Sequence, residues 1–306
     1  MINEDHKHKA YLTGFVITFI GAILFSTKAI FVKLAFFNTS IDAVSLLMLR
    51  MLFSVPFYIS IAFFYSRKSG NVRFTTRQWV KIIFLGFIGY YLSSLFDFIG
   101  LQYVSAGLER LILFLYPTFA ILLNAAIFKK NINRIQQLAL LLTYAGIAIA
   151  YFGEMKIDSG NPNFYLGTFF IFLCAVTFAV YLVGSGRLIP MVGATKFTAY
   201  TMTSAAVGVL AHYFITGNTI HHFERTAVGY GLMLAIIATV IPTFFISNGL
   251  KRIGSNNVAI VSGIGPVSTI LQAHFILGEK LIAAQVIGTV LVIAGVLLTG
   301  WRNRDI

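Results

Sequence analysis

The 306-residue chain is 58% hydrophobic and 11% charged, with a mean hydropathy of +0.84. Soluble domains carry about 25% charged residues, so a water-exposed globular fold is excluded and lipid is the solvent that fits. The net charge of +13 is scattered through short connectors between apolar runs, which excludes a nucleic-acid groove, and the single Cys174 excludes an internal disulfide.

A helix crosses the hydrocarbon core with about 20 apolar residues, and the apolar runs predict an all-α integral membrane fold of ten spans. The first, near 11–37, is too long for a signal-peptide core and carries Gly14, Thr18, Gly21, Phe25 and Lys28 as one stripe. The second, near 43–65, holds Arg50 and Pro56. The third, near 80–101, presents Tyr90, Ser94 and Asp97 at i, i+4 and i+7. The fourth, near 106–128, contains Glu109, Arg110, Tyr116 and Pro117, and the fifth lies near 136–153. A second set follows near 165–184, 196–216, 227–250, 256–277 and 283–301. It carries Tyr181 and a packing Cys174, then Thr239, Pro242, Thr243 and Ser247, and finally Ser262, Thr269 and Gln272. Gly263-Ile264-Gly265-Pro266 interrupts the ninth span.

Lys and Arg accumulate in cytoplasmic connectors. Arg67, Lys68, Arg73, Arg77 and Lys81 crowd one connector that has no acid, and Lys129, Lys130 and Arg134 another. The opposite face holds Lys33, Lys156, Arg225 and Lys280 beside Glu154, Asp158, Glu224 and Glu279. Both termini are therefore expected in the cytoplasm of a bacterial-type inner membrane.

Shifting the chain by 149 positions lays Gly100, Pro117, Gln136 and Gly146 over Gly249, Pro266, Gln285 and Gly295 without a gap. Two five-helix repeats follow, 1–157 and 158–306, and an odd helix count turns the second upside down. Inverted repeats are a recurrent design of secondary transporters. The stretch from Asp97 to Thr118 resembles the third-to-fourth-helix segment of EamA-type carriers of the drug/metabolite transporter superfamily. Gly263-Ile264-Gly265-Pro266-Val267-Ser268 with Leu277-Gly278-Glu279 resembles the ninth helix of that family and its ending. Phe128-Lys129-Lys130 departs from the same ending in the first repeat. The resemblance implies two tandem units around a central cavity, with the fifth and tenth helices outside, and cargo that is an amino acid, another metabolite or a drug.

No connector is long enough for a nucleotide-binding domain, so the chain is not by itself an ATP-driven pump. No catalytic set, metal site or cofactor is read. His221-His222 reads as a solvated loop pair, and His212 and His274 as packing groups. Five ionisable residues lie inside spans, where each is costly unless paired or wetted: Lys28, Arg50, Asp97, Glu109 and Arg110. Arg50 and Asp97 reach a similar depth and are expected to pair or to meet cargo. Lys28 lies about 13 Å below the outer end and is the expected anchor for a carboxylate. With Tyr90, Ser94, Tyr116, Tyr181, Thr243, Ser262, Thr269 and Gln272 it makes up the expected substrate site. The bland alternative for each hydroxyl is helix-to-helix hydrogen bonding. Glu109, Arg110, Pro117 and Pro266 are the expected gate or coupling elements, with a proton as a candidate coupling ion. The leading reading is a secondary carrier that exports a small polar, amino-acid-like or carboxylate metabolite. The alternatives are a multidrug efflux carrier for apolar cations and, from another class, a channel or membrane enzyme. Partners are thus a small molecule and lipid.

Overall fold

The computed structural model describes residues 2–67, 73–129, 132, 134–157, 160–217 and 223–301, and these contain helices and no strand. In chain order they are α1 (Ile2–Asn38), α2 (Ala43–Ser66), α3 (Thr76–Gly86), α4 (Ser93–Leu101), α5 (Ala106–Leu113), α6 (Tyr116–Phe128) and α7 (Arg134–Ile157). The second half has α8 (Phe164–Val192), α9 (Ala194–Ile215), α10 (Arg225–Ala235), α11 (Ile241–Ser262), α12 (Gly265–Leu277) and α13 (Ala283–Trp301). A π-helical turn, Phe87–Leu92, joins α3 to α4, and another, Ile236–Val240, joins α10 to α11.

Local chemistry sets the helix starts. Asp42 accepts from the amides of Val44 and Ser45, Thr75 and Gln78 form a reciprocal capping box, and Ser105 caps α5. Among the described residues seven stretches are long and apolar enough to span a bilayer, and no more than half of the apolar 18-residue window in any of them is buried. The outward faces carry side chains such as Phe64, Leu141 and Phe169, which only hydrocarbon accommodates. The chain is an integral membrane protein.

The repeat is visible in irregularities rather than in the helices themselves. The π turn at Phe87–Leu92 falls 149 positions before the one beginning at Ile236. The break at 114–115 recurs at 263–264, and Pro117 and Pro266 then sit in the first turns of α6 and α12. Proline lacks an amide that this position does not need, so both prolines start helices rather than kink them. Lys129 ends α6 with φ 50°, and Gly278 ends α12 with φ 70°. The first copy therefore keeps the left-handed turn even where it has lost the glycine. Interfaces also exchange: α1 packs on α11 as α4 packs on α8, and α1 on α12 as α6 on α8.

Helices α7 and α13 pack along each other through small residues. A Cβ on Gly146 would lie 2.6 Å from the Gly288 carbonyl oxygen, and one on Gly288 2.5 Å from that of Gly146. Such faces let helices approach without a hydrophobic driving force.

One expected connector is helical rather than a loop. Helical backbone continues from Ile241 to Ser262, through the polar stretch 251–255 that separates the eighth and ninth spans in the sequence reading. The chain still turns back there: a Cβ on Gly249 would lie 3.4 Å from Val258 Cγ2, and Gly14 of α1 faces Arg252 whereas Ser26, three turns on, meets Gly265.

Candidate functional site

Between the halves lies a cavity of about 490 Å³, within the range of small-molecule sites. Of the residues expected at the site, Lys28, Arg50, Tyr90, Ser94, Asp97, Arg110, Tyr116 and Pro117 line it from the first half. Tyr181, Thr243 and Ser262 line it from the second. Glu109 stands behind the wall with no exposure. Thr269, Gln272 and Pro266 are outside the lining. Gln272 donates to Ser268 (2.7 Å), and Thr269 donates to the Ser26 carbonyl at the α1–α12 contact (3.5 Å).

The charges pair differently from the expectation. Lys28 Nζ stands 2.7 Å from Asp97 Oδ2 and 3.6 Å from Glu109 Oε1. It is therefore held by two buried carboxylates rather than left free for cargo. Arg50 is not the ion-pair partner of Asp97. Its Nε donates to Thr239 Oγ1 (2.9 Å) and its Nη1 to Ser94 Oγ (3.2 Å). Thr239 belongs to the second π turn and Ser94 follows the first, so Arg50 ties the two π segments together across the halves. Arg110 is 7% exposed. Its guanidinium lies over the rings of Phe114 (5.4 Å) and Phe25 (6.0 Å).

Opposite these charges is an aromatic wall. Tyr90 meets Tyr181 at 4.8 Å between centroids, Tyr116 meets Phe178 at 5.0 Å, and Phe178 stacks on Tyr181 at 5.8 Å. The sequence reading missed Phe114, Phe178, Ser93 and Ser185 in the lining. Phe178 lies one turn before Tyr181 and was legible from that spacing. The sequence reading assigned Cys174 to packing. It is in the lining, with Sγ 3.2 Å from Ser93 Oγ, and nothing in the sequence marks it.

The lining runs from Asp97 and Arg110 to Ile189, Ala194 and Thr198 around the α8–α9 junction. The opposite end of the bundle is tied shut by polar contacts. Lys33 Nζ donates to the carbonyls of Leu101 (3.1 Å) and Val104 (2.9 Å), and Asn161 to that of Tyr103 (2.8 Å). Glu279 accepts from the amides of Ala106 (2.9 Å) and Gly107 (3.3 Å). A cation thus meets the C-terminus of α4, and a carboxylate from the second half meets the N-terminus of α5, the favourable sign at each helix end.

His212 pairs with the Tyr91 hydroxyl and His274 with the Glu279 carbonyl, while His221-His222 lies outside the described residues. Among the described residues no group of three His, Cys, Asp or Glu is placed to hold a metal ion.

The EamA-like transporter family matches the chain twice, over residues 12–152 and 165–301. The uncharacterized transporter YcbK of Bacillus subtilis is 33% identical over 292 residues, covering 93% of this chain and 92% of that one. YyaM of the same organism, also named an uncharacterized transporter, is 27% identical over 71% of this chain and 72% of its own. A solved crystal structure shares the fold with a TM-score of 0.64 and 19% identity, over 94% of this chain and 96% of its own. With two matched units surrounding one cavity, the chain belongs to the EamA-like transporter family and is a membrane transporter, not an enzyme.

Proposed function

We propose that the chain is a secondary carrier that exports a small polar metabolite, amino-acid-like or carboxylate-bearing, by alternating access. The observation that carries this reading is a cavity walled by both halves, tied shut at the Lys33–Glu279 end and lined out to the α8–α9 junction. A channel would need both ends open at once. In this reading residues 1–157 and 158–306 are inverted units of five spans each. Ten spans then place both termini in the cytoplasm of a bacterial plasma membrane. The connector charges support that orientation, and the exchanging interfaces support the inversion. The α8–α9 junction then faces the cytoplasm. Lys28, Arg50, Tyr90, Ser94, Asp97, Tyr116, Tyr181, Thr243 and Ser262 form the substrate chamber. Asp97 and Glu109 around Lys28 are the groups to hold a coupling proton, and the helix starts at Pro117 and Pro266 are the flexing elements. Fixed cations in the lining disfavour the apolar-cation efflux reading despite the aromatic wall.

The test is a reversible lock. Ala106→Cys with Glu279→Cys, in a Cys174→Ser background, is bridged by a short bifunctional thiosulfonate in proteoliposomes preloaded with labelled amino acids. Bridged protein should stop releasing label, and reductant should restore release. Undiminished release from the bridged protein would rule out movement at that end.

A further inference from the structure

Three cations line the cavity, but they are not equally available. Lys28 is held by Asp97 and Glu109, and Arg50 has two of its nitrogens on Thr239 and Ser94. Arg110 has neither kind of partner. Its Nε is buried without a hydrogen bond, and no carboxylate lies within the 4.0 Å ion-pair distance among the described residues. What surrounds it holds the group in place with no acid in ion-pair contact, Glu109 acting on it only through space. The rings of Phe25 and Phe114 provide cation–π contact. Gly265 provides room, since a Cβ there would lie 2.5 Å from Nη2.

A guanidinium 7% exposed in a lipid-embedded chamber is costly without a counter-charge. Its planar fork matches a carboxylate with two parallel hydrogen bonds. We infer that Arg110 is the anion-recognising residue of the cavity, and that the cargo presents one carboxylate to it beside Gly265. Phe114, Tyr116 and Phe178 continue from this point in ring contact, and Leu182 and Ile189 also line the cavity, so the part of the cargo that meets this wall is apolar. The inference rests on the carrier reading and narrows it to monoanionic or zwitterionic molecules with an apolar body.

The experiment uses matched probes on the purified full chain: L-leucine and 4-methylpentanoate as acids, leucinamide and 4-methylpentanamide as counterparts in which an uncharged amide replaces the carboxylate. The readout is the concentration giving half-maximal thermal stabilisation. The acids should stabilise the wild type and the other two should not. Arg110→Gln should raise the half-maximal concentration for the acids roughly ten- to hundredfold, the range for a hydrogen bond to a charged group. It should also erase the acid preference. Because Arg110 has no acid in ion-pair contact among the described residues, Arg110→Gln should lower the melting temperature without probe less than Lys28→Met does. Gly265→Ala keeps the charge but displaces Nη2, and should weaken acid binding several-fold. The inference is overturned if no acid binds, if amide binds as well as acid, or if both variants keep the wild-type preference. Acid-selective, Arg110-dependent binding without any transport would sink the carrier reading alone. Transport whose acid preference survives Arg110→Gln would sink this site alone.

Discussion

Lys28→Met tests the charge cluster directly. The substitution keeps the length of the side chain and removes the only ammonium among the described residues that contacts Asp97 and Glu109, whose side chains are 1% and 0% exposed. Two carboxylates are then buried with no cation in ion-pair contact. Removing one partner of a buried pair costs about 3–5 kcal/mol. At about 2–4 °C per kcal/mol for larger domains, the melting temperature should fall by roughly 10 °C. Cys174, the single cysteine, is 2% exposed, so a thiol-reactive fluorogenic dye reports unfolding without any added label. Lys28→Met combined with Asp97→Asn and Glu109→Gln leaves no ion in the cluster and should recover most of the loss. The sequence reading had given Lys28 to cargo and had set Arg50 and Asp97 to pair or to meet cargo. An unshifted Lys28→Met, or an Asp97→Asn variant rescued by Arg50→Gln and not by Lys28→Met, would refute the pairing.

Other consequences are independent of that cluster. Lys129 holds a left-handed φ of 50°, which costs a non-glycine residue about 1–2 kcal/mol. Lys129→Gly should therefore raise the melting temperature, and Gly278→Ala should lower it. Gly288→Val places atoms where a Cβ already approaches the Gly146 carbonyl to 2.5 Å, and overpacking of about 1–3 kcal/mol should appear as a lower melting temperature. In a Cys174→Ser background, Thr76→Cys and Gly160→Cys, both at exposed positions, should label with an impermeant thiol reagent from opposite faces of the membrane. Labelling from one face would overturn the ten-span orientation. The loop positions Gly70 and Asn218, equally suited by sequence, lie outside the described residues.

The repeat was legible because its markers are chemically restrictive. A proline in a helix start and a glycine at a close helix contact, as in Pro117 over Pro266 and Gly146 over Gly295, survive in register, whereas Leu and Ile matches carry little information. Spacing also put Tyr90, Ser94 and Asp97 on one helical face, and all three line the cavity. Pairing was not legible. Periodicity gives the face of each helix but not its rotation against a neighbour. The choice of Lys28 over Arg50 as partner of Asp97 depends on how α1, α2, α4 and α5 cross. The second π turn was likewise hidden. It sets Thr239 against Arg50, and its sequence, Ile236-Ile237-Ala238-Thr239-Val240, reads like any apolar helix. Thr269 and Gln272 show the opposite error, since both are polar and suitably spaced yet serve the α1–α12 contact and their own helix.

The central claim, a carrier that alternates rather than a pore, is tested most directly by counterflow. Proteoliposomes containing the purified chain, without ATP or an imposed gradient, are loaded with unlabelled acids and diluted into trace labelled acid of the same kind. Alternating access predicts that label accumulates transiently above equilibrium inside, because internal cargo returns the empty site outward. Label that enters monotonically to equilibrium and is indifferent to internal cargo would mark a channel, and no protein-dependent entry for any acid tested would contradict the account outright.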